Sequence, residues 1–245
     1  MIRAVQLTIC LPTYNERENL EPLVRVLAHV FTENGLEARI LVVDDNSPDG
    51  TGELADELAR SLPFVSVLHR PWKEGLGPAY LAAFRTALAA RSDLILTMDC
   101  DFSHDPADVP RLVAAAEGAD VVLGSRYVPG GGIRNWGPLR RAISRGGSLY
   151  AHVLLGVGIH DLTGGFKCYR REVLEQIGLE RITSRGYAFQ IETTYRALRA
   201  GFRVTEVPIV FTDRETGRSK MSRTIVLEAI ARVPALRLRA ARGRL

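Results

Sequence analysis

Cysteine is scarce in this chain of 245 residues: Cys10, Cys100 and Cys168 are odd in number and far apart, with no CxxC or Cys/His spacing. That excludes a disulfide framework and a zinc site of the usual pattern, and a reducing cytosol fits best. Long apolar runs are missing too. No stretch approaches the roughly 18 residues that a membrane span needs, and the opening MIRAVQLTICLPTYNE turns polar too early for a secretory signal. A soluble or peripheral protein is expected. No GxxxxGK[ST] loop occurs, and the glycines at Gly75 and Gly77 have Tyr80 where the third glycine of GxGxxG belongs, so neither a P-loop nor a dinucleotide fingerprint is present. The five histidines show no ligand pairing; His104 alone lies near an acidic strand end and reads as structural. No Ser/His/Asp ordering stands out, and no internal repeat or low-complexity linker interrupts the chain. The net charge of +4 is mild. It favours an anionic partner such as a phosphate or an acidic membrane surface without calling for nucleic acid.

What is present is an alternation of β and α periods. Val5, Leu7, Ile9 and Leu11 alternate with polar residues as in a strand, Pro12 interrupts the run, and Leu20, Leu23, Val24, Leu27 and Phe31 fall at helical spacing, with Thr13 or Asn15 as candidate cap. RILVVDD, FVSVLHR, LILTMD and DVVLGSR read as further strands, separated by the helices ELADELARSL, PAYLAAFRTALAAR and PADVPRLVAAAEG. The pattern predicts an α/β fold with a mostly parallel sheet covered on both faces. Beyond Arg126 a glycine-rich loop, helices near 139–155 and 186–200, and a late strand in FRVTEVPIVFT, with Pro208 at an edge or bulge, build the other wall of a cleft.

The carboxylates stand at the predicted strand ends, where open α/β sheets bind ligands. Asp99 and Asp101 in LILTMDCDFSHD are separated by one residue, so both can face one way; a hard cation such as Mg²⁺, which takes one or two carboxylates and completes its shell with phosphate oxygens and water, fits between them. The alternative is a helix cap. Asp44 and Asp45 end a second strand and Glu16 follows the first. Together they suggest a nucleotide pocket, the alternative for Asp44 and Asp45 being an Asx turn before SPDG. Arg126, Arg134, Arg140, Arg141 and Arg145 form a basic run without an acid among them, either a solvated face or a second anion site, and Arg214, Arg218 and Lys220 form another basic loop. The end of the chain, TIVLEAIARVPALRLRAARGRL, reads as a basic helix kinked at Pro234, lying on an anionic membrane or packed on the domain.

LPTYNERENL, VVDDNSPDGT, GLGPAYLAAF, MDCDFSH, GSRYVPGG, RNWGPLRRAIS and SKMS, in this order, resemble the polyprenol phosphate mannosyltransferases, also called dolichol-phosphate mannose synthases, over about residues 7–222. The resemblance implies the GT-A nucleotide-sugar-binding fold and inverting transfer of mannose from GDP-mannose to a polyprenyl monophosphate, with Mg²⁺ or Mn²⁺. It implies that Pro12, Tyr14, Glu16, Val43 and Asp45 line the guanosine side of the donor site. Asp99 and Asp101 hold the metal with the Cys100 backbone beside them, and Arg214 and Lys220 close over the donor phosphates. Arg126, Arg140 and Ser144 meet the acceptor phosphate. Ser103 stands where some members have a glutamine ligand. Asp161 is the candidate assisting carboxylate, expected to orient rather than to abstract a proton, because a phosphate nucleophile is already ionised. Residues 1–222 are expected to form the catalytic domain and 223–245 a basic amphipathic tail. The expected location is the cytosolic membrane face, reached through the tail or a membrane-protein partner. The competing readings are a UDP-glucose donor, a hydroxyl acceptor, or a non-catalytic lipid- or nucleotide-binding subunit.

Overall fold

The computed structural model describes residues 5–213, 223–243 and 245, with side chains described from residue 231 onward in the last helix. Seven strands form the main sheet in the order β3-β2-β1-β4-β7-β5-β8: β1 (Leu7–Thr13), β2 (Ala38–Asp44), β3 (Val65–His69), β4 (Leu94–Thr97), β5 (Val121–Ser125), β7 (Lys167–Arg170) and β8 (Val204–Pro208). All pairings are parallel except those of β7, which runs antiparallel between β4 and β5. The central strands are near-continuous apolar runs because both faces are covered. Ile9, Leu11, Ile40, Val42 and Leu96 pack beneath α1 (Arg17–Asn34), α2 (Thr51–Ser61) and α4 (Val109–Ala115). On the opposite face Cys10, Val43 and Ile95 meet α3 (Leu76–Ala89), α6 (Arg171–Gln176) and α7 (Gly186–Arg199).

The alternation expected for the first half is present. β7 was not foreseen: KCYR is a strand of four residues buried among stronger signals, and its antiparallel sense follows from its route back across the sheet. Pro208 ends the edge strand β8. The chain then switches sheets, so that β9 (Val210–Thr212) pairs with β6 (Gly132–Arg134) in a small second sheet. Neither Thr13 nor Asn15 caps α1. Thr13 is still in β1, Asn15 takes a left-handed turn (φ 56°), and Glu16 occupies the cap position, its carbonyl accepting from the Asn19 and Leu20 amides.

α8 (Arg223–Ala241) packs against both α7 and α5 (Pro138–Leu155). Val233 and Leu236 of α8 are buried in the same core as Tyr80 and Phe84, so the packed alternative for the terminal helix is what residues 231–241 adopt. Two glycines permit close approach near the cleft. A Cβ on Gly77 would stand 2.6 Å from the Ser184 carbonyl oxygen, and one on Gly131 2.5 Å from that of Ser125.

Candidate active site

β4 ends at Thr97, whose hydroxyl donates to the Gly165 carbonyl at 2.6 Å and ties the strand end to the loop that enters β7. The chain then turns through Asp99, Cys100 and Asp101, with Phe102 left-handed (φ 58°). Two contacts shape the turn. The Asp99 amide donates to Nδ1 of His104 at 3.1 Å, and the Ser103 amide donates to Oδ1 of Asp101 at 3.1 Å. His104 is buried, stacked on Phe166 and edge-on to Phe211. Burial pushes its pKa down to about 4, against the pull of Asp101, so the ring is neutral at pH 7 with its proton on Nε2. His104 is therefore structural, as expected, and its task is to hold the acidic turn. Asp105 caps the short 3₁₀ turn Pro106–Asp108, accepting from the Ala107 amide at 2.9 Å; the capping role weighed for Asp99 and Asp101 belongs to their neighbour.

The residues expected around the nucleoside come together at the ends of β1 and β2, where Pro12 pairs with Val43. Lys73 places its ammonium 3.6 Å from the centre of the Tyr14 ring. Glu16 is buried, its amide bonded to the Thr51 hydroxyl. Asp44 forms the Asx turn: its carboxylate accepts from the Ser47 amide (3.0 Å), the Ser47 hydroxyl (2.6 Å) and the Thr13 hydroxyl (3.1 Å). Asp45 is paired with Arg70, a buried residue that sequence reasoning missed, which also reaches Glu74. Burial raises the Asp45 pKa, and the Arg70 charge opposes the rise. No local signal marks Arg70. Its role comes from the register that sets His69 beside Asp44.

On the other side of the acidic turn, Arg126 and Asp161 form one buried unit. The Asp161 carboxylate accepts from the Arg126 amide (3.0 Å), Nε (2.7 Å) and Nη2 (2.6 Å), and Nη2 also donates to the Thr163 hydroxyl at 2.9 Å. Burial would raise the Asp161 pKa, but the charge and hydrogen bonds of Arg126 hold it below the ordinary range. Ser144 accepts from the Tyr127 hydroxyl at 2.7 Å, and Arg140 pairs with Asp213 at 2.7 Å. Trp136 lies between the arginines, 4.1 Å from the Arg140 guanidinium and 5.8 Å from that of Arg126. The three expected acceptor residues thus converge on Tyr127 and Trp136, two aromatics that sequence reasoning left unassigned inside GSRYVPGG and RNWGP. Arg214 and Lys220 lie outside the described residues.

Among the described residues, the side-chain atoms buried without a hydrogen-bond partner belong to Tyr80, Ser103, Trp136, Arg140 and Gln190. Their distribution follows the cleft. Ser103 Oγ is next to Asp101 in the turn, and the Tyr80 hydroxyl feels the charge of Asp99, which adds to burial in raising its pKa. The Gln190 amide faces Gly165, where a Cβ would stand 3.5 Å from its Nε2. Buried polar atoms left without partners are rare away from ligand sites. No group of three or more His, Cys, Asp or Glu side chains suited to a metal occurs among the described residues. Two carboxylates with the orphaned Ser103 hydroxyl fit a hard divalent ion completed by substrate phosphate, and do not fit an all-protein cage. Beneath the turn Lys167 is fully buried, donating to the Gln190 carbonyl (2.6 Å) and the Thr194 hydroxyl (2.9 Å); burial pushes its pKa down to about 7.

Comparison with known proteins shows the family and the fold. The Glycosyl transferase family 2 profile matches residues 8–178. A polyprenol monophosphomannose synthase of Mycolicibacterium smegmatis is 51% identical over 235 residues, covering 95% of this chain and 87% of that protein. An undecaprenyl-phosphate mannosyltransferase of Micrococcus luteus is 48% identical, covering 91% and 90%. Among solved structures, glucosyl-3-phosphoglycerate synthase of Mycobacterium tuberculosis with UDP superposes with a TM-score of 0.68 at 19% identity, covering 95% of this chain and 80% of that one. Mannosyl-3-phosphoglycerate synthase of Rubrobacter xylanophilus gives 0.66 at 21%, covering 98% and 76%. These two likenesses establish the GT-A-like fold.

Proposed function

The chain belongs to glycosyl transferase family 2, within it to the polyprenol phosphate mannosyltransferases, and on that premise we propose that it transfers mannose from GDP-mannose to a polyprenyl monophosphate with inversion. The observation that carries the reading is the pairing of two unlike walls across one acidic turn, set by the strand order β2-β1-β4-β7-β5. An arginine–aromatic cluster (Arg126, Arg140, Tyr127, Trp136) lies on one side and the Tyr14–Asp45 pocket on the other.

In this reading Pro12, Tyr14, Glu16, Val43 and Asp45 receive the guanosine, and Arg214 and Lys220 meet the donor phosphates. Asp99 and Asp101, with the Cys100 backbone and Ser103 beside them, hold Mg²⁺ or Mn²⁺. The ion, when bound, offsets the charge that develops on the departing diphosphate. Arg126, Arg140 and Ser144 receive the acceptor phosphate. Two anions must approach each other for the reaction, and guanidinium groups between them lower that repulsion. The phosphate monoester attacks in its ionised form, so no protein base is required. The engagement of both Asp161 oxygens by Arg126 supports an orienting role for that carboxylate. A polyprenyl acceptor places the protein at the cytosolic face of a membrane, alone or with a membrane-protein partner. No helix among the described residues is long and apolar enough to cross one.

The test is incubation of the purified protein with Mg²⁺, a short polyprenyl phosphate and, in parallel, radiolabelled GDP-mannose, UDP-glucose and GDP-glucose, with label scored in the organic phase. Label from GDP-mannose alone is the expected result. Label from UDP-glucose alone overturns the donor assignment, and no label from any donor overturns the acceptor.

A further inference from the structure

The edge strand β8, VTEVP, carries an acid between two valines. Burying a carboxylate is costly unless donors meet it. The Glu206 side chain is only 7% exposed, and four donors converge on it. Its Oε1 accepts from the Asp161 amide (2.9 Å) and the Ser125 hydroxyl (2.7 Å), and its Oε2 accepts from the His160 amide and from Nδ1 of the same residue, each at 2.9 Å. The register brings them together. Glu206 pairs with Leu123 of β5, and side chains two residues apart on a strand share a face, so Ser125 stands beside the carboxylate. The groups that Glu206 gathers belong to the acceptor wall. Ser125 precedes Arg126, whose amide, Nε and Nη2 all donate to the carboxylate of the same Asp161 that Glu206 holds by its amide. His152, on the helix that carries Arg140 and Ser144, donates from Nδ1 to the Ile159 carbonyl at 3.0 Å. Residues 159–161 thus touch α5, β8 and the end of β5 at once, and Glu206 fixes them to the sheet.

We infer that Glu206 is a positioning residue for the acceptor phosphate: through Asp161 and Ser125 it sets where the Arg126 guanidinium stands. The inference rests on the proposed function for the identity of that anion, a lipid-borne phosphate monoester, and goes beyond it in naming the group that holds the wall in place. Only a carboxylate suits the position, because all four partners donate. Each oxygen receives one backbone N–H, and a backbone N–H cannot be reversed. A glutamine in either orientation therefore aims its own N–H groups at the amide of Asp161 or of His160. The Ser125 hydroxyl can turn and the His160 ring can change tautomer, but neither amide can adapt. Relief comes only by moving residues 160–161, and the Asp161 carboxylate takes Arg126 with it. A shift of about 1 Å is enough to spoil the placement of a reacting group.

The test is Glu206→Gln in the full chain, read in two ways. In the transfer assay the KM for a short polyprenyl phosphate should rise about tenfold to a hundredfold, while the calorimetric affinity for GDP-mannose with Mn²⁺ stays at the wild-type value. A role in stability alone would lower the folded fraction, and with it the maximal rate, and leave KM where it was. The second reading needs no substrate. The Nε–H resonance of Arg126 in the ¹⁵N-labelled protein, assigned by its absence from Arg126→Lys, should shift in Glu206→Gln and exchange faster with solvent. Ser125→Ala removes one donor and keeps both amides, so it should move KM and the resonance in the same direction by less. An acceptor KM that stays put in Glu206→Gln overturns the inference, as does an unmoved resonance or an equal loss of donor affinity. Should Glu206→Gln fail to fold, Ser125→Ala decides, and no movement of KM or resonance in it overturns the inference. A wild type that transfers nothing to polyprenyl phosphate, with the resonance still moved by Glu206→Gln, counts against the proposed function and leaves the link from Glu206 to Arg126 standing.

Discussion

Asp161→Asn is the substitution that most directly separates positioning from proton abstraction. The wild-type carboxylate is fully buried and opposes a guanidinium that is itself 94% removed from solvent, with bonds of 2.6 and 2.7 Å between them. Asparagine keeps the volume and one acceptor but removes the charge, leaving Arg126 buried and uncompensated. Breaking such a pair from one side costs about 3–5 kcal/mol. For a domain of this size about 2–4 °C is lost per kcal/mol, so the melting temperature should fall by roughly 6–20 °C. The pH dependence follows from the lowered Asp161 pKa. A carboxyl depressed in the folded state adds stability that is complete above its unfolded value, near 4, and is lost as pH falls through the folded value, so the gap between wild type and variant should narrow only in that acidic range. Replacing both partners, Arg126→Leu with Asp161→Leu, should restore most of the stability and none of the transfer, because the penalty of the single variant is the stranded charge. Thermal unfolding monitored by circular dichroism, beside the transfer assay, reads both. A fall below about 2 °C with transfer abolished would falsify the anchoring role and leave Asp161 acting on substrate.

Asp101→Ala should lower transfer by at least about a hundredfold, since it removes a carboxylate from the proposed divalent-ion site. It should also abolish any dependence of nucleotide affinity on Mn²⁺; near-normal turnover would refute the metal assignment. Lys167 has a pKa near 7 in the fold against an ordinary 10.5, so the unfolded chain binds more protons between those values and this group's contribution to stability rises with pH across them. Lys167→Met should erase that rise, which denaturant titrations at pH 6.5 and 9 would show as a wild-type advantage growing with pH; a constant difference refutes it. Gln190→Leu removes a buried amide without partners, an arrangement costing about 1–3 kcal/mol, so the ligand-free protein should melt higher while stabilisation by sugar nucleotide shrinks. A lower melting temperature would mean that the amide is already satisfied.

The sequence by itself determined the β/α alternation, the placement of Asp99 and Asp101 after a buried strand, and the helices on either side of the cleft. Apolar periodicity and turn residues act between neighbours a few positions apart, and that is the range a sequence displays. It also held the ordered motifs by which the family is recognised. The tertiary structure alone decided who faces whom. Asp161 reaches Arg126 across 35 residues because β7 inserts antiparallel beside β5 and brings its entry loop to the acidic end of the sheet. Arg70 reaches Asp45 only because β3 pairs in register with β2. The outer face of α5 is likewise beyond sequence reading. Leu139, Ile143, Leu149 and Val153 on it have the spacing of any core helix, and only the packing of the opposite face against the arginine–aromatic cluster leaves them turned to solvent. Local patterns fix an element's type and its apolar stripe, whereas closure of the whole sheet fixes which stripe is covered and which buried charges meet.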